Sequence, residues 1–149
     1  MTDVEVDQSG KIEKTAKDTA LAFSDDIAHS ILIPAAVKRA ALSKLRQQRY
    51  PDRMIYLRMF SAGLFLLLRD HLTQIRQITI DPEYPGWEAE TKGMLLRYVR
   101  GIYPDWWKEK IVFERIGKKS RAHEEALQVY RGKKLPGRKI SLEEFLALL

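Results

Sequence analysis

The chain has 149 residues, 45% of them apolar and 31% charged, a composition that supports a buried core and argues against wholesale disorder. It has no cysteine, which excludes disulfides, thiolate metal sites and thiol nucleophiles, so any metal must sit on oxygen or histidine. The net charge of +6 is unevenly spread: residues 1–33 carry three Lys against seven acids, whereas residues 97–139 carry thirteen Lys and Arg against five acids.

A basic C-terminal part suits a polyanion, because clustered cations release counterions from phosphates; a solvated basic surface fits the charge equally well. The start, MTDVEVDQSG, lacks the basic and then apolar segments of a secretory signal. The most apolar run, FSAGLFLLL from Phe60 to Leu68, is shorter than the about 20 residues a membrane span needs. A cytoplasmic protein with no membrane partner is expected. No internal repeat or low-complexity linker is present, so a single domain over residues 1–149 is expected, with 131–149 as a basic tail and short terminal helix.

Val4-Glu5-Val6-Asp7 alternates before Gln8-Ser9-Gly10, which predicts a first strand ending at Asp7. Lys11 to Lys17 reads as a connection to a second strand, Thr19 to Ser24, stopped by Asp25-Asp26; a third runs from His29 to Ile33 and closes at Pro34. From Ala35 the period turns helical, with Val37, Ala41, Leu42 and Leu45 inward and Lys38, Arg39, Lys44 and Arg46 outward. Pro51 interrupts, and Asp52 is expected to cap a helix from Arg53 to His71, whose apolar face reads as core or, alternatively, as a dimer face.

Gln77 to Asp81 is strand-like again and is broken by Pro82 and Pro85-Gly86. Trp87 to Tyr98 is helical, Lys110 to Ile116 reads as a fifth strand, and Ser120 stands where it would cap a helix from Arg121 to Arg131. The basic stretch from Arg131 to Lys139 reads as a flexible tail before ISLEEFLALL, whose Ser141 and Glu144 have the spacing of a capping box. Three strands joined by short connections imply an antiparallel meander, and the later alternation of helix and strand requires crossovers and parallel pairing. The predicted fold is therefore α/β, a five-stranded mixed sheet flanked by helices.

Asp7 ends the first strand, Asp81 ends the fourth, and His123, Glu124 and Glu125 occupy the first turns of the helix after the fifth. If the first and fourth strands are parallel neighbours, separate segments bring carboxylates to one rim. Crowded carboxylates repel unless a cation lies between them, and hard oxygen ligands suit Mg²⁺ or Mn²⁺. Two such ions about 4 Å apart can drive phosphodiester hydrolysis.

Blander readings stand beside these. Asp before Ser-Gly commonly accepts turn hydrogen bonds, Glu83 and Glu88 suit a helix N-terminus, and His123 suits an exposed helix surface. Lys118 and Lys119, ahead of Ser120 and Arg121, are either a phosphate seat at a helix start or a charged loop. Trp106-Trp107 is either a core plug or a platform for unpaired bases. His29 and His71 lie in apolar contexts and read as structural.

Taken together, the element order, VEVDQSG at strand one, ITIDPE at strand four and SRAHEEA at the last main helix resemble the ribonuclease H-like superfamily. The similarity is greatest to its Holliday-junction resolvase branch and related short nuclease-like proteins, and covers roughly residues 3–131. The resemblance implies acids on strand one, strand four and the last helix that bind two divalent ions. These carry over to Asp7, to Asp81 with Glu83 as a nearby substitute, and to His123 or Glu124, with Glu125 competing for the same position. The superfamily often has a further acid near the first long helix, where this chain offers only Asp52 and Asp70.

The function so implied is a metal-dependent nuclease or resolvase-like phosphodiesterase acting on DNA or RNA. Its catalytic residues would be Asp7, Asp81, Glu124 and His123, and its cofactor two Mg²⁺ or Mn²⁺ ions. Lys118, Lys119, Ser120 and Arg121 would hold the nucleic acid. Junction-cutting relatives work as symmetric pairs, which implies a homodimer. The alternative is a non-catalytic nucleic-acid-binding or protein-interaction domain on the same fold. A small-molecule α/β enzyme is disfavoured, because neither a Gly-rich phosphate loop nor a nucleophile motif is present.

Overall fold

In the computed structural model, which describes residues 1–149, the N-terminal elements are β1 (Thr2–Ser9), β2 (Thr19–Ser24), β3 (Ala28–Ile33), α1 (Ala35–Gln47) and α2 (Asp52–Leu68). Then come β4 (Ile75–Ile80), α3 (Glu88–Arg100), β5 (Ile111–Phe113), α4 (Arg121–Tyr130), β6 (Arg138–Lys139) and α5 (Leu142–Ala147). The strands form one mixed sheet in the order β5-β4-β1-β2-β3-β6. β1, β2 and β3 pair antiparallel, whereas β1 with β4, β4 with β5 and β3 with β6 are parallel.

Strand periodicity divides the sheet into two faces. Val4 and Val6 of β1, Leu21 and Phe23 of β2, and Ile78 and Ile80 of β4 enter one large core with α2. Twelve of the seventeen residues of α2 are buried, as expected for a helix that is apolar on all sides and lies between a sheet and another helix. Gly63 lets this helix close onto β2 and β3, since a Cβ there would stand 2.9 Å from Leu21 and 3.0 Å from Ile33.

The opposite face is thinner. Ala20 and Ala22 on β2 leave room for α4, which buries Ala122, Ala126 and Val129 against β1, β2 and β3. Gly10 turns the chain out of β1 at φ +75°, where the Tyr130 ring at the end of α4 presses so closely that a Cβ would come within 2.3 Å of it. Glycine is therefore required at this corner by both conformation and space.

Several expectations change. The sheet has six strands rather than five: Arg138 and Lys139 pair with Ile31 and Leu32, and the Ile140 amide donates to the Leu32 carbonyl at 2.8 Å. Two residues are too few to show periodicity, yet they cover the exposed edge of β3. The C-terminal segment is thus docked rather than a free tail, and Phe145 is fully buried. β5 keeps only Ile111–Phe113 of the predicted seven residues.

The apolar stretch of α2 is interior to this chain and cannot serve as a dimer face. Asp52 does not cap α2: Pro51 is the N-cap, and Asp52 in the first turn pairs with Arg46 at 2.9 Å. Lys38, predicted outward, is fully buried. Its ammonium donates to the Lys11 and Lys14 carbonyls at 3.2 and 2.8 Å and to the Thr19 hydroxyl at 2.9 Å, fastening the β1–β2 loop. Burial pushes that amine down to about 8, with Asp18 and Glu13 opposing the shift.

His29 and His71 lie against Phe23 as a structural cluster, the two imidazoles 4.9 Å apart. No helix is long and apolar enough to cross a membrane.

Candidate functional site

Register decides whether the predicted acids meet. Val6 pairs with Ile80, and the Asp81 amide donates to the Val6 carbonyl at 3.2 Å, so Asp7 and Asp81 leave adjacent parallel strands side by side. Both alternate with core residues, Val6 and Ile80, and therefore share the face covered by α4. Asp7 is not a turn residue: it lies within β1, paired with Ala22.

The Pro82–Gly86 turn brings a third acid back. One carboxylate oxygen from each of Asp7, Asp81 and Glu83 lies within 4.8 Å of the others. They line a pocket of about 260 Å³ with Gln8, Arg115, Gly117, Lys118 and His123.

Asp7 and Asp81 are held from different directions. Asp7 Oδ1 accepts the Gln8 amide at 2.8 Å, and its Oδ2 is 2.7 Å from His123 Nδ1. Asp81 Oδ1 accepts the Ile116 amide at 3.0 Å, which ties the β5–α4 loop to the end of β4. Ser120 caps α4, accepting from the Ala122 amide at 3.2 Å, and donates its hydroxyl to Glu5 on β1 at 3.2 Å. That fastening sets His123, one turn on, over Asp7.

Crowding appears as a displaced titration. Burial pushes Glu83 up to about 7, with the charges of Asp7 and Asp81 adding to the rise and Lys11 opposing it. Folded Glu83 keeps its proton to about pH 7 while the unfolded side chain loses it near 4.5. Folding therefore takes up a proton in that window, and the ion-free protein loses stability as pH rises through it. Thermal melts in chelator between pH 4.5 and 7.5 are expected to show this decline, and Glu83→Gln to flatten it. An unchanged slope in the variant would trace the effect to other groups.

The remaining predicted site residues disperse. Glu124 is exposed and accepts from Gln128 at 2.6 Å; Glu125 pairs with Lys134 at 2.7 Å. Neither belongs to the acid cluster. Lys118 lines the pocket, whereas Lys119 and Arg121 are exposed outside its lining. Ser120 is buried and its hydroxyl is already engaged, so its place is in the scaffold.

Trp106 is buried with the Lys110 ammonium 4.4 Å over its ring, while Trp107 is 66% exposed. Gln8 and Arg115 line the pocket without having been predicted. Arg115 sits in FERIG, just past a strand, where its charge gave no sign of direction.

Compared with protein-family models, curated proteins and solved structures, the chain finds no significant match in any of the three.

Proposed function

We propose that this chain is a divalent-metal-dependent phosphodiesterase, a nuclease or resolvase-like enzyme of the kind its ribonuclease H-like resemblance implies. The observation that carries the reading is the convergence of Asp7, Asp81 and Glu83 within 4.8 Å inside a pocket rimmed by Arg115 and Lys118. Acids this close, one of them holding a proton to about pH 7, favour a cation. An all-oxygen donor set suits Mg²⁺ or Mn²⁺, which commonly bind a few protein carboxylates together with substrate phosphate.

Asp7, Asp81 and Glu83 would hold the ion. When bound, it would polarise the phosphate and acidify a water. Arg115 and Lys118 supply positive charge for the phosphate oxygens. An ionised Asp7 is an acceptor only, so His123 carries its hydrogen on Nδ1 and keeps Nε2 to give or take a proton. Glu124 and Glu125 are committed to Gln128 and Lys134, so the clustered acids provide for one ion, and a second would have to draw Glu124 away.

The test is incubation with branched, duplex and single-stranded DNA and RNA, with Mg²⁺ or Mn²⁺ and with chelator. Cleavage that requires the ion is expected. Cleavage undiminished by chelator would remove the metal mechanism, and salt-sensitive binding without cleavage would favour the non-catalytic alternative.

A further inference from the structure

A second basic loop leaves the sheet at the edge where the acids lie. Val6 of β1 and Phe113 of β5 flank Ile80 of β4, and all three strands run the same way. The β5–α4 loop, with Arg115 and Lys118, therefore stands on one side of Asp7 and Asp81, and the β1–β2 loop, residues 10–18, on the other. Lys11, Lys14 and Lys17 of that loop are exposed and line a cavity of about 660 Å³ together with Tyr130 of α4.

The Lys14 amide donates to the Lys11 carbonyl at 3.0 Å and the Lys17 amide to the Lys14 carbonyl at 3.2 Å, two successive turns that bring side chains three residues apart to one side. From the interior, the Lys38 ammonium binds the same two carbonyls. A fourth cation is thus taken out of water to hold a loop that already carries three, at a cost that only good bonding offsets. The loop's acids do not neutralise it: Asp18 accepts the Ala35 amide at 2.8 Å, and Glu13 Oε1 is shielded from solvent. The chain's ion pairs involve Arg46, Arg69, Arg76, His123, Lys134 and Arg138, which leaves the three loop ammoniums free.

We infer that the β1–β2 loop is a nucleic-acid-binding element in which Lys11, Lys14 and Lys17 hold phosphates of a strand that crosses the acid pocket toward Tyr130. Three compact cations at a regular spacing on a preorganised loop match a repeated anion, and neutralised phosphates supply most nucleic-acid affinity. The dimensions agree. Helix α4 runs from His123, over Asp7, to Tyr130, against Gly10, a rise of about 10 Å or roughly three nucleotides along a duplex strand. Lys11 is close enough to the acids for its charge to act on Glu83. Contacts of this kind carry no base preference. The inference rests on the nuclease reading for one feature, a phosphate seated at the acids; binding by the loop needs no metal.

The experiment is filter binding of duplex and single-stranded DNA and RNA in chelator over a series of salt concentrations, with polyglutamate as a competing polyanion of protein type. Combined Lys11→Gln, Lys14→Gln and Lys17→Gln is expected to weaken binding at least about tenfold at low salt and to lower the salt slope by about two to three. Combined Lys92→Gln, Arg97→Gln and Lys108→Gln, an equal loss of charge on α3 and the loop before β5, should change affinity by less than about threefold. Lys38 holds backbone carbonyls, so the loop variant keeps its frame and should melt like wild type. Acetylation of the wild-type lysines, read by mass spectrometry, is the second probe: bound DNA should protect Lys11, Lys14 and Lys17 at least about threefold and leave Lys92 and Lys108 unchanged.

An unchanged salt slope in the loop variant, an equal loss in the control variant, unprotected loop lysines, or polyglutamate bound as tightly as nucleic acid would overturn the inference. Cleavage of nucleic acid by the wild type with Mn²⁺ is read separately. Cleavage with unprotected loop lysines defeats the loop site alone, and protected lysines without cleavage defeat the nuclease reading alone.

Discussion

Asp7→Asn is expected to lower ion-dependent cleavage at least about a thousandfold, roughly 4 kcal/mol of transition-state stabilisation, while nucleic-acid binding stays within about threefold of wild type. Asp7 is the residue on which the site converges. It shares the acid cluster with Asp81 and Glu83, accepts from the Gln8 amide and fixes the His123 ring at 2.7 Å. An asparagine keeps the volume and one acceptor oxygen but loses the charge that attracts an ion. It also loses the acceptor that holds the hydrogen on Nδ1 of His123.

The same substitution removes one of the charges that push Glu83 upward, so folding stability in chelator should change little. Single-turnover cleavage with Mn²⁺, filter binding in chelator and a melting curve separate these effects. Glu124→Gln is the matched control: its carboxylate is exposed and bonded to Gln128, so a change of less than about threefold is expected. A large loss at Glu124 with full activity in Asp7→Asn would move the chemistry from the strand ends to the helix.

Phe145→Ala is expected to destabilise the fold by about 3–5 kcal/mol, with a fall in melting temperature of roughly 10 °C. Phe145 is fully buried within the main core cluster, although it lies four residues before Leu149, and Ile140 in the same cluster is 1% exposed. The segment reaches the core because three contacts bring it there: β6 pairs with β3, the Lys44 ammonium donates to the Leu146 carbonyl at 2.9 Å, and the Tyr98 hydroxyl donates to the Leu148 carbonyl at 2.8 Å.

Removing the ring leaves a cavity that a helix anchored at its start cannot close. Leu142→Ala, on the exposed side of the same helix, should stay within about 0.5 kcal/mol of wild type. Urea unfolding with an unchanged slope would assign the loss to the native state. A Phe145→Ala protein as stable as wild type would return the segment to the free tail its composition suggests.

Local pattern determined much of this molecule. Alternation in β1 and β4 already put Asp7 opposite Val6 and Asp81 opposite Ile80, because successive side chains on a strand face opposite ways. Ser120 and the Ser141–Glu144 pair started their helices where the sequence placed them, because capping involves only a few neighbouring residues. The meander and crossovers followed from the order of elements.

Tertiary structure alone decided which distant atoms meet. The Val6–Ile80 register set Asp7 beside Asp81, the Pro82–Gly86 turn selected Glu83 for the cluster, and α4's rotation turned His123 inward and Glu124 outward. Lys38 gives the same lesson in reverse, since a charge reads as surface until two carbonyls of a distant loop and the hydroxyl that opens β2 surround it. Periodicity reports only which side of an element is apolar. Register, turn geometry and helix rotation depend on packing between segments far apart in the chain, and those contacts leave no mark in a short window of sequence.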